Sequence, residues 1–278
     1  MNRPLPIIFT DIDGTLIDFD TYSAVETQGV VHKLTRKGIP VILCSSKTRQ
    51  EQEDYRQIFQ LNAPFIVENG SAIFIPWGTF DFEIPFQRRI EPYGVLELGI
   101  PAAVILEALR AIRKQTNLAL KTYQDLSLTE VCSLTGLSPA QAEAARQREY
   151  SATILTPLPP RDKARLTAAL AGVGLQLLAG GRFHTITAAA SDKGKAVVQL
   201  AACFRQKFGN ILTVGLGDSA NDQSMLASVD CPYLVQNPNV SWEAVPNVER
   251  VAAIGPKGWR RIGEKILAQS NGFQSHCV

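Results

Sequence analysis

Two carboxylates, Asp11 and Asp13, stand where an apolar run of the chain ends in a turn. The run Ile7–Phe9 is typical of a buried strand, and Gly14 closes the turn after it. In an open parallel α/β sheet, ligands bind beyond the carboxyl ends of the strands. Carboxylates this close repel each other, and a hard cation such as Mg2+, which takes oxygen ligands and bridges phosphate, relieves the repulsion. A plain Asp-Gly turn is the alternative interpretation.

A second apolar run in the distant part of the chain also ends in carboxylates. Ile211–Leu216 is typical of a strand, and Gly217 leads into a turn that contains Asp218 and Asp222. Two strands that both end in acidic turns are hard to explain as independent loops. The pattern therefore favours a shared acidic site over two unrelated turns.

The two motifs, Asp-x-Asp-Gly-Thr-Leu and Gly-Asp-Ser-x-Asn-Asp, resemble those of the haloacid dehalogenase-like phosphatases. Two intermediate signals occur in the order that this resemblance requires. Val41–Thr48 resembles the second motif of the family, a strand that ends in a phosphate-binding hydroxyl. Ser191–Gly194 resembles the third, a lysine at the start of a helix. Because the four signals extend from Asp11 to Asp222, the resemblance covers most of the chain.

The resemblance implies hydrolysis of a phosphate monoester. Asp11 would attack phosphorus and form an acyl phosphate, which divides one difficult step into two. Asp13 would protonate the leaving oxygen and then assist the attacking water. The implied phosphate-binding residues are Ser45 and Lys193, and the implied ligands of Mg2+ are Asp11, Asp13, Asp218 and Asp222.

Each of the weaker assignments has an ordinary structural alternative. Asp222 is also what the dipole of a helix favours at its N-terminus. Ser45 is also explained as a strand-end hydroxyl without a ligand, and Lys193 as a solvated helix residue.

The order of elements predicts an α/β fold, a Rossmann-like parallel-sheet core with an inserted α+β cap domain. Residues 1–85 and 189–278 are assigned to the core and residues 86–188 to the cap. Helices are expected at Thr21–Lys37 and Thr48–Leu61, and Asn69-Gly70 between two apolar runs is a strong hairpin signal. A turn is expected at Gly255–Gly258, before a final helix.

The position of the cap, between the second and third motifs, is that of the sugar-phosphatase branch of this family. Several short segments, among them Arg148-Glu149-Tyr150, resemble segments of phosphatases that act on a glycosylated phosphoglycerate. Such a substrate carries a carboxylate beside its phosphate. Arg182 follows two glycines, and an arginine fork matches a carboxylate bidentately. A strand-connecting turn with a surface arginine is the alternative.

Further substrate-binding candidates are Lys47, Thr48 and His184. Glu68 and Asn69 suit either sugar hydroxyls or a plain hairpin turn. The rival functions are a phosphatase for another sugar phosphate or for a glucosyl-phosphoglycerate, a phosphomutase, and a binding module without activity. The sequence leaves the sugar and the oligomeric state open.

The overall composition and charge of the chain limit the kinds of partner that we expect. The chain has 278 residues, of which 45% are hydrophobic and 19% charged, with a net charge of +2. This balance gives no argument for nucleic acid or for an anionic membrane as partner. No long apolar segment is present, and because the N-terminal residues run straight into a predicted strand, no signal peptide is expected. The five scattered cysteines suggest free thiols in a reducing compartment, so a cytoplasmic location is expected.

Overall fold

The computed structural model describes residues 3–180, 183–238 and 245–269. The strands are β1 Leu5–Thr10, β2 Val41–Leu43, β3 Phe65–Val67, β4 Ala72–Pro76, β5 Arg88–Ile90, β6 Tyr93–Glu97, β7 Ala152–Ile154, β8 Leu175–Ala179, β9 His184–Ala188, β10 Ile211–Gly217, β11 Cys231–Gln236 and β12 Glu249–Ile254. The helices are α1 Val25–Arg36, α2 Arg49–Phe59, α3 Ala102–Thr116, α4 Leu128–Thr135, α5 Pro139–Arg146, α6 Pro160–Ala171, α7 Lys193–Phe208, α8 Gln223–Leu226 and α9 Gly255–Gln269.

The central sheet has five parallel strands in the order β12-β11-β10-β1-β2. In the register of β1, Ile8 pairs with Val214 on one side and with Val41 on the other. Every pair in this sheet is parallel, so its strands end at a common edge. The predicted parallel α/β core is confirmed.

Alternation along β1 divides the core into two layers. Ile8 packs with α1, α2 and α9 on one face of the sheet. Ile7 and Phe9 pack with α7 and α8 on the other face. Because successive residues of a strand point to opposite faces, an apolar run such as Ile7–Phe9 can be buried fully only when helices cover both.

A second, antiparallel sheet extends the core, with the order β3-β4-β6-β5. Its first two strands form the predicted hairpin, in which Phe65 lies opposite Phe74. β5 and β6 were not predicted; Arg88–Ile90 of β5 is charged and lacks an apolar alternation. Because β6 pairs with β4 along its whole length, this sheet favours a cap that starts after Glu97. The boundary near Phe86 stays a prediction.

The cap contains α3 to α6 and a third sheet of order β7-β9-β8. Side chains of α3, α6 and this sheet share one apolar cluster, and α4 and α5 contribute to a smaller one. The hydroxyls of Ser127 and Ser138 cap α4 and α5, and Pro139 occupies the first turn of α5 as predicted.

Two smaller expectations are wrong. The segment Gly255–Gly258 is the first turn of α9, where Pro256 is compatible with helix geometry. Cys44, Cys132 and Cys203 are free thiols, but Cys231 is disulfide-bonded, so the five cysteines are not all free. None of the helices in the described ranges has both the length and the apolarity needed to cross a bilayer.

Candidate active site

Three carboxylates converge at the carboxyl edge of the central sheet. Asp11 follows β1 directly, and its N–H donates to the carbonyl oxygen of Leu216 on β10 at 2.9 Å. Asp218 follows β10, which neighbours β1 in the sheet. With Asp222, these residues each offer a carboxylate oxygen, and the three oxygens lie within 4.8 Å of one another. The structure thus brings together three of the four predicted metal ligands.

Lys193 links two of these carboxylates. Its Nζ donates to Oδ1 of Asp11 and to Oδ1 of Asp222, each at 2.7 Å, and its side chain is 1% exposed. Burial on its own lowers the pKa of a lysine, but the charges of Asp11 and Asp222 raise the pKa of Lys193 above its ordinary value. The turn at Gly70 packs closely here, since a Cβ on Gly70 would lie 2.1 Å from the carbonyl oxygen of Asp192.

Asp222 uses both carboxylate oxygens within the protein. Oδ1 accepts from Lys193, and Oδ2 accepts from the N–H groups of Asp218 at 3.0 Å and Ser219 at 3.3 Å. These bonds fix the turn that carries Asp218. They favour a supporting role for Asp222 over a direct bond to a metal.

Asp218 is held from two sides. Its Oδ1 accepts from the hydroxyl of Thr15 at 3.2 Å, and its Oδ2 accepts from the amide of Asn237. Gly14 packs directly against it, because a Cβ on Gly14 would lie 2.6 Å from Oδ2, and its φ of +72° is in the left-handed region. The turn of the first motif is therefore fitted to the carboxylate of the fourth.

The electrostatics of this cluster favour a cation. Burial, the largest influence, and the charge of Asp222 raise the pKa of Asp11 to about 7 against the lowering effect of Lys193. Burial and the same neighbouring charge also raise the pKa of Asp218. Three carboxylates and one ammonium leave an excess of negative charge that a divalent cation balances. Since all the donors are hard oxygens, the set fits Mg2+.

Asp13 lies beside the cluster and is paired with Lys47. The distance from Lys47 Nζ to Asp13 Oδ2 is 3.0 Å, and Glu51 Oε1 is 3.7 Å from the same nitrogen. The centres of the Tyr22 and Tyr55 rings lie 5.4 and 5.6 Å from Lys47 Nζ. The other oxygen of Asp13, Oδ1, is buried and makes no hydrogen bond within the described residues. The hydrogen-bonding capacity of that oxygen is therefore unused within the described residues.

A cavity of about 400 Å3 opens above these acids, between the core and the cap. Its core side includes Asp11, Asp13, Lys47 and Asp218. The residues that line its cap side combine hydroxyls, rings, apolar groups and one cation: Tyr123, Thr135, Leu137, Arg148, Thr153, Ala179, Gly180, Phe183 and Thr185. The carboxylates that line the cavity therefore lie on its core side, whereas the charged residue of its cap side is Arg148.

Ser45 and Thr48 occupy the loop after β2, and the bonds of both are structural in this state. The hydroxyl of Ser45 is buried and accepts from the N–H of Lys47 at 3.4 Å. Thr48 caps α2 by accepting from the N–H of Glu51, and it donates to the carbonyl oxygen of Ala144 in α5 at 3.0 Å. Thr48 therefore joins the core to the cap, and among the described residues it is not on the cavity wall. The phosphate-binding role of Ser45 stays a prediction.

His184 and Arg182 were the predicted substrate-binding residues of the cap. Thr185 lines the cavity, and strand alternation places its neighbour His184 on the opposite face of β9. Burial and the charge of Lys163 lower the pKa of His184. The structure does not support a substrate contact for His184. Arg182 lies outside the described residues, so its role stays a prediction.

Several residues of the site were not identified from the sequence. Thr15 lies within the first motif, which signalled the turn but not its bond to Asp218. Arg148 was part of a string that carried the family resemblance, although no role was assigned to it. Asn237 comes after β11 with no local signal, because only the fold brings it to Asp218.

Glu68 fastens the core hairpin to the cap. Its buried carboxylate accepts from the N–H groups of Glu149 at 2.8 Å and Tyr150 at 3.1 Å, and from the hydroxyl of Ser151. Burial raises the pKa of Glu68, while the charge of Arg148 opposes that shift. The bonds explain this residue as a structural link, so a sugar-binding role for it has no support.

The comparisons with known proteins agree with this geometry. The family profile of the haloacid dehalogenase-like hydrolases matches residues 8–96. A glucosyl-3-phosphoglycerate/mannosyl-3-phosphoglycerate phosphatase of Methanococcoides burtonii is 38% identical over 270 residues, 96% of this chain and 99% of that protein. A mannosyl-3-phosphoglycerate phosphatase of Pyrococcus horikoshii is 37% identical over 229 residues, 82% of this chain and 90% of that protein.

Solved structures share the fold at lower sequence identity. A Thermoplasma acidophilum protein superposes with a TM-score of 0.67 at 16% identity, covering 95% of this chain and 98% of that one. A haloacid dehalogenase-like hydrolase from Bacteroides thetaiotaomicron gives 0.64 at 14% identity, covering 94% and 98%. With the acidic site at the carboxyl edge of a parallel sheet, the chain belongs to the haloacid dehalogenase-like hydrolases. Within that class it is a phosphatase.

Proposed function

We propose that this chain is a Mg2+-dependent phosphatase that hydrolyses a glycosyl-3-phosphoglycerate through an aspartyl-phosphate at Asp11. The reaction would convert mannosyl-3-phosphoglycerate to mannosylglycerate and phosphate. The observation that carries the proposal is the convergence of Asp11, Asp218 and Lys193 at the floor of a cavity roofed by the cap.

The geometry supports Asp11 as the nucleophile. Lys193 fixes its Oδ1, whereas Oδ2 makes no hydrogen bond within the described residues, and Asp11 lines the cavity. The carboxylate is therefore oriented with one oxygen free to attack phosphorus. A bound Mg2+ would neutralise charge on the phosphoryl oxygens, and Asp11 and Asp218 would hold it.

Asp13 is suited to proton transfer. Its buried Oδ1 has no partner, while Lys47 holds its other oxygen. A carboxyl group fixed at one oxygen can give a proton from the other to the leaving group and later take one from water. This supports the assignment of Asp13 as acid and base.

Glucosyl-3-phosphoglycerate is the second candidate substrate. The relatives from Methanococcoides burtonii and Persephonella marina, at 38% and 33% identity, are both named for the glucosyl and the mannosyl compounds. The cap wall includes Thr153 and Thr185, whose hydroxyls lie 3.3 Å apart. A hydroxyl can donate or accept, so these two groups would suit either epimer.

The test is phosphate release from mannosyl- and glucosyl-3-phosphoglycerate, compared with hexose 6-phosphates, by the full chain with Mg2+. We expect kcat/KM to be highest for the glycosylated phosphoglycerates. The Asp11→Asn variant should show no turnover, because an amide is a far poorer nucleophile. Formation of an isomeric phosphate in place of free phosphate would identify a phosphomutase. Activity of the Asp11→Asn variant within about tenfold of the parent would exclude Asp11 as nucleophile.

A further inference from the structure

Arg148 extends from the cap to the core loop that carries the predicted phosphate-binding hydroxyl. Its Nη1 donates to the carbonyl oxygen of Ser46 at 3.1 Å and to the hydroxyl of Ser151 at 3.0 Å. Ser46 lies between Ser45 and Lys47, and adjacent Cα atoms are about 3.8 Å apart. The guanidinium is thus anchored one residue away from the groups assigned to phosphate and to Asp13.

The guanidinium of Arg148 has N–H donors that are not used in hydrogen bonds within the described residues. It has five N–H donors, but its Nε is buried and makes no hydrogen bond within the described residues. No carboxylate of those residues forms an ion pair with it, although Glu68 is linked to it through Ser151. Its Cζ lies over the Tyr123 ring, 5.6 Å from the centre of that ring. Nη1 of Arg148 is therefore held by the protein, while other N–H groups of the guanidinium remain to bind an anion.

The positively charged residues of the cavity indicate which anion Arg148 would bind. Of the described lysines and arginines, two line the cavity, Lys47 and Arg148. Lys47 is already paired with Asp13 and Glu51. In a 3-phosphoglycerate, the carboxylate is joined to the phosphorylated carbon through a single intervening carbon. A substrate with its phosphate at Asp11 therefore carries a second negative charge close to the loop where Arg148 is anchored.

We propose that Arg148 binds the carboxylate of the phosphoglycerate group and selects acid-bearing phosphate esters over those without the acid. Arginine suits this task because its planar fork matches a carboxylate, and the Tyr123 ring limits its movement. The inference rests on the proposed function and deepens it, because it names the substrate group that the cap recognises.

The experiment measures binding to the full chain with Mg2+ in an Asp11→Asn background, which prevents turnover. The ligands are 3-phosphoglycerate and glycerol 3-phosphate, in which a neutral hydroxymethyl group takes the place of the carboxylate. By calorimetry we expect the acid to bind at least about tenfold more tightly, the effect of a charge-assisted hydrogen bond. Adding Arg148→Met should remove most of that preference and change glycerol 3-phosphate binding less than about threefold. Adding Arg148→Lys should restore part of it.

Arg146→Met is the matched control, since Arg146 lies on the same cap segment, pairs with Glu143 and is absent from the cavity wall. It should leave the preference unchanged. Equal binding of the two ligands before any change at Arg148, or no binding of either, would overturn the inference. So would equal weakening of both ligands by Arg148→Met, because that result assigns the arginine to the fold through Ser46 and Ser151.

The two proposals fail in different ways. If the unmodified enzyme does not hydrolyse glycosyl-3-phosphoglycerates while the carboxylate preference follows Arg148, the proposed substrate is wrong and the arginine assignment stands. If those substrates are hydrolysed but the preference is indifferent to Arg148, the substrate stands and the inference is wrong.

Discussion

Replacing Lys193 by methionine leaves two buried carboxylates facing each other without their shared ammonium group. The lysine is 1% exposed, and both of its bonds, to Asp11 and Asp222, are 2.7 Å long. Methionine has a similar length and fills the space of the stem. The variant therefore isolates the effect of the charge from that of a cavity.

The magnitude follows from burial. Removing one partner of a buried ion pair costs about 3–5 kcal/mol, because the remaining charge is uncompensated. We expect a loss of that size in the free energy of unfolding without metal. Mg2+ at 100 times its dissociation constant should return up to about 2.7 kcal/mol, since it binds the folded state. Removing the second charge as well, in Lys193→Met/Asp222→Asn, should recover part of the loss.

The assay is urea unfolding in chelator and in excess Mg2+, with phosphate release measured in parallel. Lys195→Met is the control, since Lys195 lies on the same helix with its side chain 56% exposed. It should change the free energy of unfolding by less than about 0.5 kcal/mol. Two results would refute the idea that Lys193 compensates the charges of Asp11 and Asp222. One is a loss in the free energy of unfolding below about 1 kcal/mol for Lys193→Met, and the other is a double variant no more stable than the single one.

Three further predictions concern other parts of the molecule. Glu68→Gln should cost about 1–3 kcal/mol and speed proteolysis of the cap, because an NH2 group would face donors from the cap; an unchanged digestion rate would contradict this. Gly14→Ala should lower kcat by tenfold or more, roughly, since its Cβ would lie 2.6 Å from Asp218 Oδ2; unchanged kinetics would mean that the turn relaxes. Although burial opposes it, bonding from Arg113 lowers the pKa of Asp125 from 3.8 to about 2. Its contribution to stability is therefore full above pH 3.8 and lost as the pH falls toward about 2, so Asp125→Asn should flatten that part of the stability curve in acid unfolding.

The parts of the fold that could be predicted have a strong local cause. The apolar run before Asp11 and the hairpin turn at Asn69-Gly70 fix their conformation from neighbouring residues alone. β12 was missed because it is an edge strand of which only Val251 is buried, so it shows no clear alternation. The turn expected at Gly255–Gly258 is helical because glycine and proline are tolerated in a first turn that packs well.

The candidate site divides in the same way. Asp11, Asp218 and Lys193 follow strand ends or start a helix, so motif and topology together place them. Asn237 and Arg148 reach the site through the packing of distant segments; Asn237 has no local signal, and the segment that contains Arg148 resembled the family without indicating a role for the arginine. The contacts that side chains make across the core–cap boundary depend on how the core and the cap pack together. The spacing of apolar residues in the sequence does not predict that packing.

The loop after β2 is one of the places where the core meets the cap, and it carries Lys47, the partner of Asp13. Lys47 holds Asp13, the carbonyl oxygen of Ser46 accepts from Arg148, and Thr48 donates to the cap helix α5. These contacts link the cap to the residue that pairs with Asp13, so we expect a leaving group that fits the cap poorly to disturb Asp13 more than Asp11. Selectivity for the leaving group should accordingly be expressed in the step that we propose for Asp13, protonation of the departing oxygen.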